Sequence, residues 1–283
     1  MNFYINKSIV DVRSQPIERQ EIYFDPYQST QLLYGDKIKI LAKKSLWVFV
    51  ECENQYLFER DWKKYRGWIK TNTYLEKDNY YYNGIVIQPF KKDDTFFSFG
   101  SKLKVIKIEP EYVIVRLLND ETIKIKRDFI QLNSDNKLCR EEIAKRAKQF
   151  LGFPYLWGGR SSYSSDLPSS VDCSGLIQLL YHSFGIKMAR NAHDQFLATV
   201  PIEYEQLQKG DLIFTAPLNK RRMDHVMLFL ENDFLLESTA NPGVVRTVSG
   251  KEKLGTPLPL IKNGQIIGQK KVFFTKCPHF LRL

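Results

Sequence analysis

The strongest constraint on this chain is a change of hydrophobic period near residue 138. Ahead of it, runs at 36–41, 46–50, 67–70, 84–88, 102–108, 112–116 and 122–126 are short, rich in β-formers and separated by turns. Several alternate strictly, as Ile38 and Ile40 do against Lys37 and Lys39, which puts one face inside and the other in water. No helical period is visible there. Regularly spaced short strands predict small barrels or sandwiches. Beyond residue 138, Ile143, Ala144, Ala147, Phe150 and Leu151 share one helix face, and Gly152 and Pro154 end that helix. A second helix has Asp172 as N-cap, Leu176, Ile177, Leu180, Tyr181 and Phe184 as its apolar face, and Gly185 as its stop. An α+β chain of two or three units follows, and 283 residues suffice for it.

The second helix places Cys173 on its first turn. Unpaired N–H groups and the helix dipole favour negative charge there, so the position is expected to lower the thiol pKa and yield the nucleophilic thiolate. The Cys173 N–H is also expected to point where an oxyanion would form. A lone cysteine beside a cap is more often a packing residue, however, and a nucleophile needs a base within reach. The chain offers His182, His193, His225 and His279. His182 lies nine residues along the same helix, about half a turn round and two and a half turns further on, so it cannot reach. His279 has no supporting pattern. His193 sits in a polar helix-start segment and reads as a surface residue. His225 opens an apolar strand directly after a basic loop containing Lys220, Arg221 and Arg222.

Five blocks sharpen this picture: Pro154-Tyr-Leu-Trp-Gly-Gly159, Asp172-Cys-Ser-Gly-Leu176, Ala189-Arg-Asn-Ala-His-Asp-Gln195, Lys209-Gly-Asp-Leu-Ile-Phe214 and Asp224-His-Val226. In this order they resemble the NlpC/P60 cysteine peptidases over roughly residues 140–250. The resemblance implies a papain-like catalytic domain with Cys173 as nucleophile and His225 as base, and places Arg190 and Gln195 in its third block. Ahead of it, Asp11-Val-Arg13, Gln31-Leu-Leu-Tyr-Gly-Asp36, Leu46-Trp-Val and Tyr65-Arg-Gly-Trp-Ile69 resemble a bacterial SH3-like domain. A looser second copy spans about 84–132. The expected units are therefore 1–78 and 79–136, both SH3-like, and 137–283, catalytic.

The family usually orients its histidine with His, Asn or Gln, and Glu237 departs from that choice. His225 and Glu237 flank a hairpin around 231–233. A three-residue loop there would give pairs summing to 464, with Met227 opposite Glu237 and His225 its diagonal neighbour, about 7–8 Å away and within reach of a long side chain. Glu237 would then hold the imidazole and stabilise its cation. Asn241 is the alternative third group. Tyr155 is either a second oxyanion donor or an aromatic packed under its loop.

The resemblance also implies the substrate: γ-D-glutamyl bonds to meso-diaminopimelate or lysine in peptidoglycan-derived peptides. SH3-bearing members look like recycling enzymes that require a free N-terminal L-Ala. Asp172, Ser174 and Tyr65 would then bind the amine end, unless Asp172 serves as a cap alone. Two other readings stay open: a non-catalytic wall- or partner-binding module, and a papain-like amidase or acyltransferase. Cys52, Cys139, Cys173 and Cys277 are scattered and form no CxxC pair, so neither a metal site nor a cofactor is expected. The formal charge of +10 is spread along the chain without a nucleic-acid-binding motif, so no nucleic-acid partner is expected. The first residues do not read as a signal peptide and no run approaches a membrane span; a soluble cytoplasmic protein is expected, with unconventional export open.

Glu237→Gln is expected to reduce turnover and shift the pH–rate profile. An unchanged rate and profile would remove Glu237 from the mechanism.

Overall fold

The computed structural model describes residues 1–21, 24–78, 80–135 and 137–276, so Cys277 and His279 lie outside the described residues. The N-terminal part contains β1 (Phe3–Ile5), β2 (Ile9–Arg13), β3 (Gln28–Leu33), β4 (Lys37–Lys44), β5 (Trp47–Phe58), β6 (Trp62–Lys70) and β7 (Tyr74–Glu76). These form one antiparallel sheet in the order β3-β2-β6-β5-β4-β1-β7. Its alternating positions Ile5, Val10, Val12, Ile38, Val48, Val50 and Ile69 converge on one core. The next part contains β8 (Gly84–Val86), β9 (Phe90–Lys92), β10 (Thr95–Phe97), β11 (Lys102–Ile108), β12 (Tyr112–Arg116), β13 (Thr122–Lys126) and β14 (Ile130–Leu132). Five of these strands run in the order β13-β12-β11-β8-β14, with β9 and β10 as a separate hairpin.

The expectation of barrels needs correction. Among the described residues neither sheet closes into a hydrogen-bonded ring, and β3 and β7 remain the unpaired ends of the first. The free end at β3 has another use. Gln31, fully buried, accepts from the Arg160 N–H at 3.0 Å and the Ser161 hydroxyl at 2.9 Å, and donates to the Pro168 carbonyl at 2.8 Å. Strand length was also misjudged: β5 and β6 extend well past 46–50 and 67–70. A register shift between Cys52 and Tyr56 breaks the alternation on which the sequence reading relied.

The C-terminal part contains α1 (Arg140–Lys148), α2 (Cys173–His182), α3 (Ala192–Leu197), β15 (Val200–Pro201), β16 (Leu212–Pro217), β17 (His225–Glu231), β18 (Phe234–Thr239), β19 (Val244–Ser249), α4 (Gly250–Leu254), β20 (Ile266–Ile267) and β21 (Lys270–Lys276). Its main sheet runs β15-β21-β16-β17-β18-β19. Period-two alternation divides β17 between two cores: Val226, Leu228 and Leu230 face α2, while Met227 and Phe229 pack on the other side with Leu235 and Phe274. The expected helix ends are close. Gly152 and Gly185 both take positive φ, but regular α1 stops at Lys148, and Leu151 is exposed instead of joining the apolar face.

All three parts meet at Asp36. Its carboxylate, at the end of the β3–β4 turn, receives Lys102 at 2.6 Å from the second sheet and Arg160 at 3.3 Å from the C-terminal part. All three side chains are buried, so each charge relies on the others for the solvation it lost. These cations hold the Asp36 carboxyl below its ordinary range against the burial that would raise it. Asp36→Ala would leave two buried cations without their anion, at a cost of about 3–5 kcal/mol. Urea denaturation measures this; a loss below about 1 kcal/mol would show that the junction does not depend on Asp36.

Candidate active site

Asp172 has extended backbone, and its Oδ1 accepts the Gly175 N–H at 2.6 Å, the N-cap expected from the sequence. Such a cap is worth about 1 kcal/mol. Gly175 is required on the same turn because a Cβ there would stand 2.1 Å from the Gly159 carbonyl oxygen. This close approach lays the 154–159 loop, with Tyr155 and Trp157, beside the helix start. The Cys173 thiol, partly buried there, receives the backbone N–H groups of Val226 and Ser174.

The expected lowering of the thiol pKa is not found. Burial and the neighbouring Asp172 charge push Cys173 up to about 12, outweighing the two N–H groups and Arg190. The magnitudes explain the reversal. A helix end supplies about 0.3–1 kcal/mol, less than one pKa unit at about 1.36 kcal/mol each, whereas full desolvation shifts a group by several units.

His225 opens β17 and Glu237 lies on β18. The pairs Leu228↔Leu236 and Phe229↔Leu235 both sum to 464, the register the sequence reading required. The route to that register differs. Glu231 pairs with Phe234 across a two-residue loop in which Asn232 takes φ +53°, and the odd residue is Leu230, bulged within the strand. A bulge and a three-residue loop have the same effect on parity, so His225 Nε2 and Glu237 Oε2 meet at 2.7 Å. No hydrogen bond among the described residues joins Asn241 to His225. Glu237 is almost fully buried and has two further cationic partners: Arg246 Nε at 3.1 Å from Oε1 and Lys253 Nζ at 2.6 Å from Oε2. Burial alone would raise its carboxyl, but His225 and Lys253 hold it at about 2. Burial lowers the His225 pKa; Glu237 opposes this, and the charges of Lys253 and Lys270 add to it. The resting pair is therefore a carboxylate and a neutral imidazole.

A cleft of about 510 Å³ opens over the thiol, and Tyr65, Tyr155, Asp172, Cys173, Ser174 and Arg190 all line it. Tyr65 reaches it from β6, so the first sheet forms part of the wall, together with Pro26, Gln28 and Ser29, which the sequence reading missed. Burial raises the phenol pKa of both tyrosines, with Asp172 and Cys173 adding to the effect at Tyr155, so both hydroxyls are neutral donors. His193 was read as a surface residue and needs correction: it lines the cleft, and its Nδ1 accepts the Met223 N–H at 3.3 Å. Its place on the first turn of α3 turns it toward the 222–224 segment. His182 lies instead beside Arg160, 3.5 Å from that guanidinium, kept neutral by burial and the neighbouring cations. Arg246 and Lys253 were missed; the cross-strand pair Glu237↔Arg246 was the available signal for the first. Among the described residues no cluster of His, Cys, Asp and Glu could hold a metal, and no helix is long and apolar enough to cross a membrane.

A half-buried thiol on a helix start, packed against the strand that carries a carboxylate-held imidazole, belongs to the architecture of cysteine peptidases, and this chain is one. It carries an NlpC/P60 domain: the model of the NlpC/P60 family matches residues 152–254. The chain is 28% identical to the γ-D-glutamyl-L-lysine dipeptidyl-peptidase of Bacillus subtilis, over 78% of its own length and 75% of the relative's. It is 34% identical to the peptidoglycan endopeptidase RipB of Mycobacterium tuberculosis over 41% of its length and 49% of that protein's. The crystal structure of an NlpC/P60 family protein from Bacillus cereus shares the fold with a TM-score of 0.79 at 20% identity, covering 98% of this chain and all of that one.

Alkylation of Cys173 by iodoacetamide without substrate should be slow at neutral pH and accelerate toward alkaline pH, as a thiol near 12 requires. Rapid alkylation on a plateau between about pH 5 and 7 would reveal a resting thiolate–imidazolium pair instead.

Proposed function

We propose that this peptidase hydrolyses the γ-D-glutamyl bond to a diamino acid in peptidoglycan-derived peptides, and that it requires a free N-terminal L-Ala. The observation carrying this reading is the composition of the cleft: Cys173 shares it with Asp172 and Ser174 on one side and with Tyr65 of the N-terminal sheet on another. A site walled by a second unit suits a short peptide end better than a continuous polymer. The names of the Bacillus subtilis and Mycobacterium tuberculosis relatives support the same substrate class. In this reading the two N-terminal units are SH3-like modules, and the C-terminal unit is papain-like. The module pair acts as a gate, and the enzyme works in the cytoplasm on fragments already freed of sugar.

Cys173 is the nucleophile. As its sulfur bonds to the scissile carbonyl carbon, the thiol proton passes to His225, whose Nε2 is occupied by Glu237 and whose Nδ1 is left for this task. The helix start and the Tyr155 hydroxyl stabilise the oxyanion. Collapse breaks the C–N bond while His225 returns the proton to the leaving amine, and water then hydrolyses the thioester. Asp172 divides its carboxylate between two tasks. Oδ1 serves the cap, Ser174 and one Arg190 N–H, while Oδ2 is bonded to Arg190 alone and keeps a lone pair for the substrate ammonium.

Mass spectrometry of defined muropeptides tests the proposal. L-Ala-γ-D-Glu-diamino acid peptides should release L-Ala-D-Glu, and Cys173→Ala should abolish release. Equal cleavage of peptides whose L-Ala carries the muramic sugar would overturn the gate, and release of ammonia or acyl transfer would overturn the bond assignment.

A further inference from the structure

A buried carboxylate held against a histidine normally drives the imidazole into its cationic form, because the two opposite charges stabilise each other strongly at low dielectric. A general base must be neutral at the working pH to accept a proton. Glu237 alone would therefore orient His225 at the expense of its basicity. The surroundings of Glu237 show how this conflict is resolved. Both carboxylate oxygens are occupied. Oε1 accepts from Arg246 Nε at 3.1 Å, and Oε2 is shared between His225 Nε2 at 2.7 Å and Lys253 Nζ at 2.6 Å. The two cations come from different elements: Arg246 sits directly opposite Glu237 on β19, and Lys253 from the short helix α4 behind it. That helix is fixed by its own cap, the Ser249 hydroxyl accepting the Glu252 N–H at 3.0 Å. Its Lys253 side chain is only 18% exposed.

We propose that Arg246 and Lys253 are positioning residues: together they neutralise Glu237, so that its carboxylate orients His225 through a hydrogen bond without forcing a proton onto the imidazole. One buried cation would satisfy Glu237. Two are present, and the second removes the need for imidazolium as counter-ion. Lys253 is the sensitive member, because it bonds to the same oxygen as His225, whereas Arg246 also spends part of its charge on exposed Glu252 at 3.3 Å. The remaining charges facing the imidazole largely cancel, since Lys270 is paired with Asp224 at 3.3 Å and Cys173 is a neutral thiol at rest. The directions found for the two partners, carboxylate held low and imidazole not raised, agree with this arrangement.

The inference rests on His225 being the base, and its test does not require turnover. The His225 imidazole is titrated by NMR in the intact protein. Lys253→Met should move the His225 titration to higher pH, each unit raising the ratio of cationic to neutral imidazole about tenfold at a given pH. Lys253→Arg, which keeps the charge, should restore the wild-type curve. Lys253→Gln supplies the same reading if the Met variant folds poorly. In the double variant with Glu237→Gln the titration should return toward wild type, since an amide needs no counter-charge. An unmoved titration in both Lys253→Met and Lys253→Gln, or an equal shift in Lys253→Arg, would overturn the proposal. A protein that shows these shifts but cleaves no γ-D-glutamyl peptide would retain the charge balance and lose the proposed substrate.

Discussion

The cleft depends on one buried guanidinium. Arg190, 1% exposed, donates to the Thr30 hydroxyl at 2.6 Å, to both Asp172 oxygens at 3.1 and 2.8 Å, to the Ser174 hydroxyl at 3.0 Å and to the Gly159 carbonyl at 3.4 Å. Its backbone N–H is bound by the Tyr56 carbonyl at 2.8 Å. In one planar fork it gathers the first sheet, the cap of the cysteine helix and the loop beside it. Lysine, a point charge with three donors, could not replace those directions. Burying such a cation is costly unless it is paired and fully hydrogen-bonded, and Asp172 meets the first condition. The cap that places Cys173 is thus also the counter-ion that admits Arg190, and the N-terminal sheet is a wall of the site instead of an appendage.

The parts legible in the sequence were those where a single local rule decides. The Asp172 cap, the positive φ of Gly152 and Gly185 a few residues past their helices and the apolar face of α2 follow from adjacent residues. The His225–Glu237 contact was legible for a less local reason: parity across a hairpin depends only on counting residues, and a bulge at Leu230 preserves the count that a three-residue loop would give. What escaped was set by tertiary contacts. Strand β5 runs on through an irregularity that erases alternation. The cleft wall at 26–29 has no period at all. Lys253 reads as a surface lysine on a short helix until α4 folds back over Glu237. The thiol was misjudged because a helix end is visible in sequence and desolvation is not.

Desolvation also decides how the site works. Burial pushes the thiol pKa up and the imidazole pKa down, so neither group is charged at rest. Charge separation is then postponed until a carbonyl is present to take up the sulfur's electrons, when the helix-start N–H groups face a developing oxyanion instead of a standing thiolate. The same burial that makes a resting ion pair expensive makes those preorganised donors stronger. In this site the N-terminal part supplies Tyr65, Pro26, Gln28 and Ser29 to the wall of the cleft that holds the thiol. The shape of the cleft and the protonation state of the nucleophile are therefore coupled. An opening of that wall would rehydrate the thiol and lower its pKa, leaving an exposed and oxidisable thiolate.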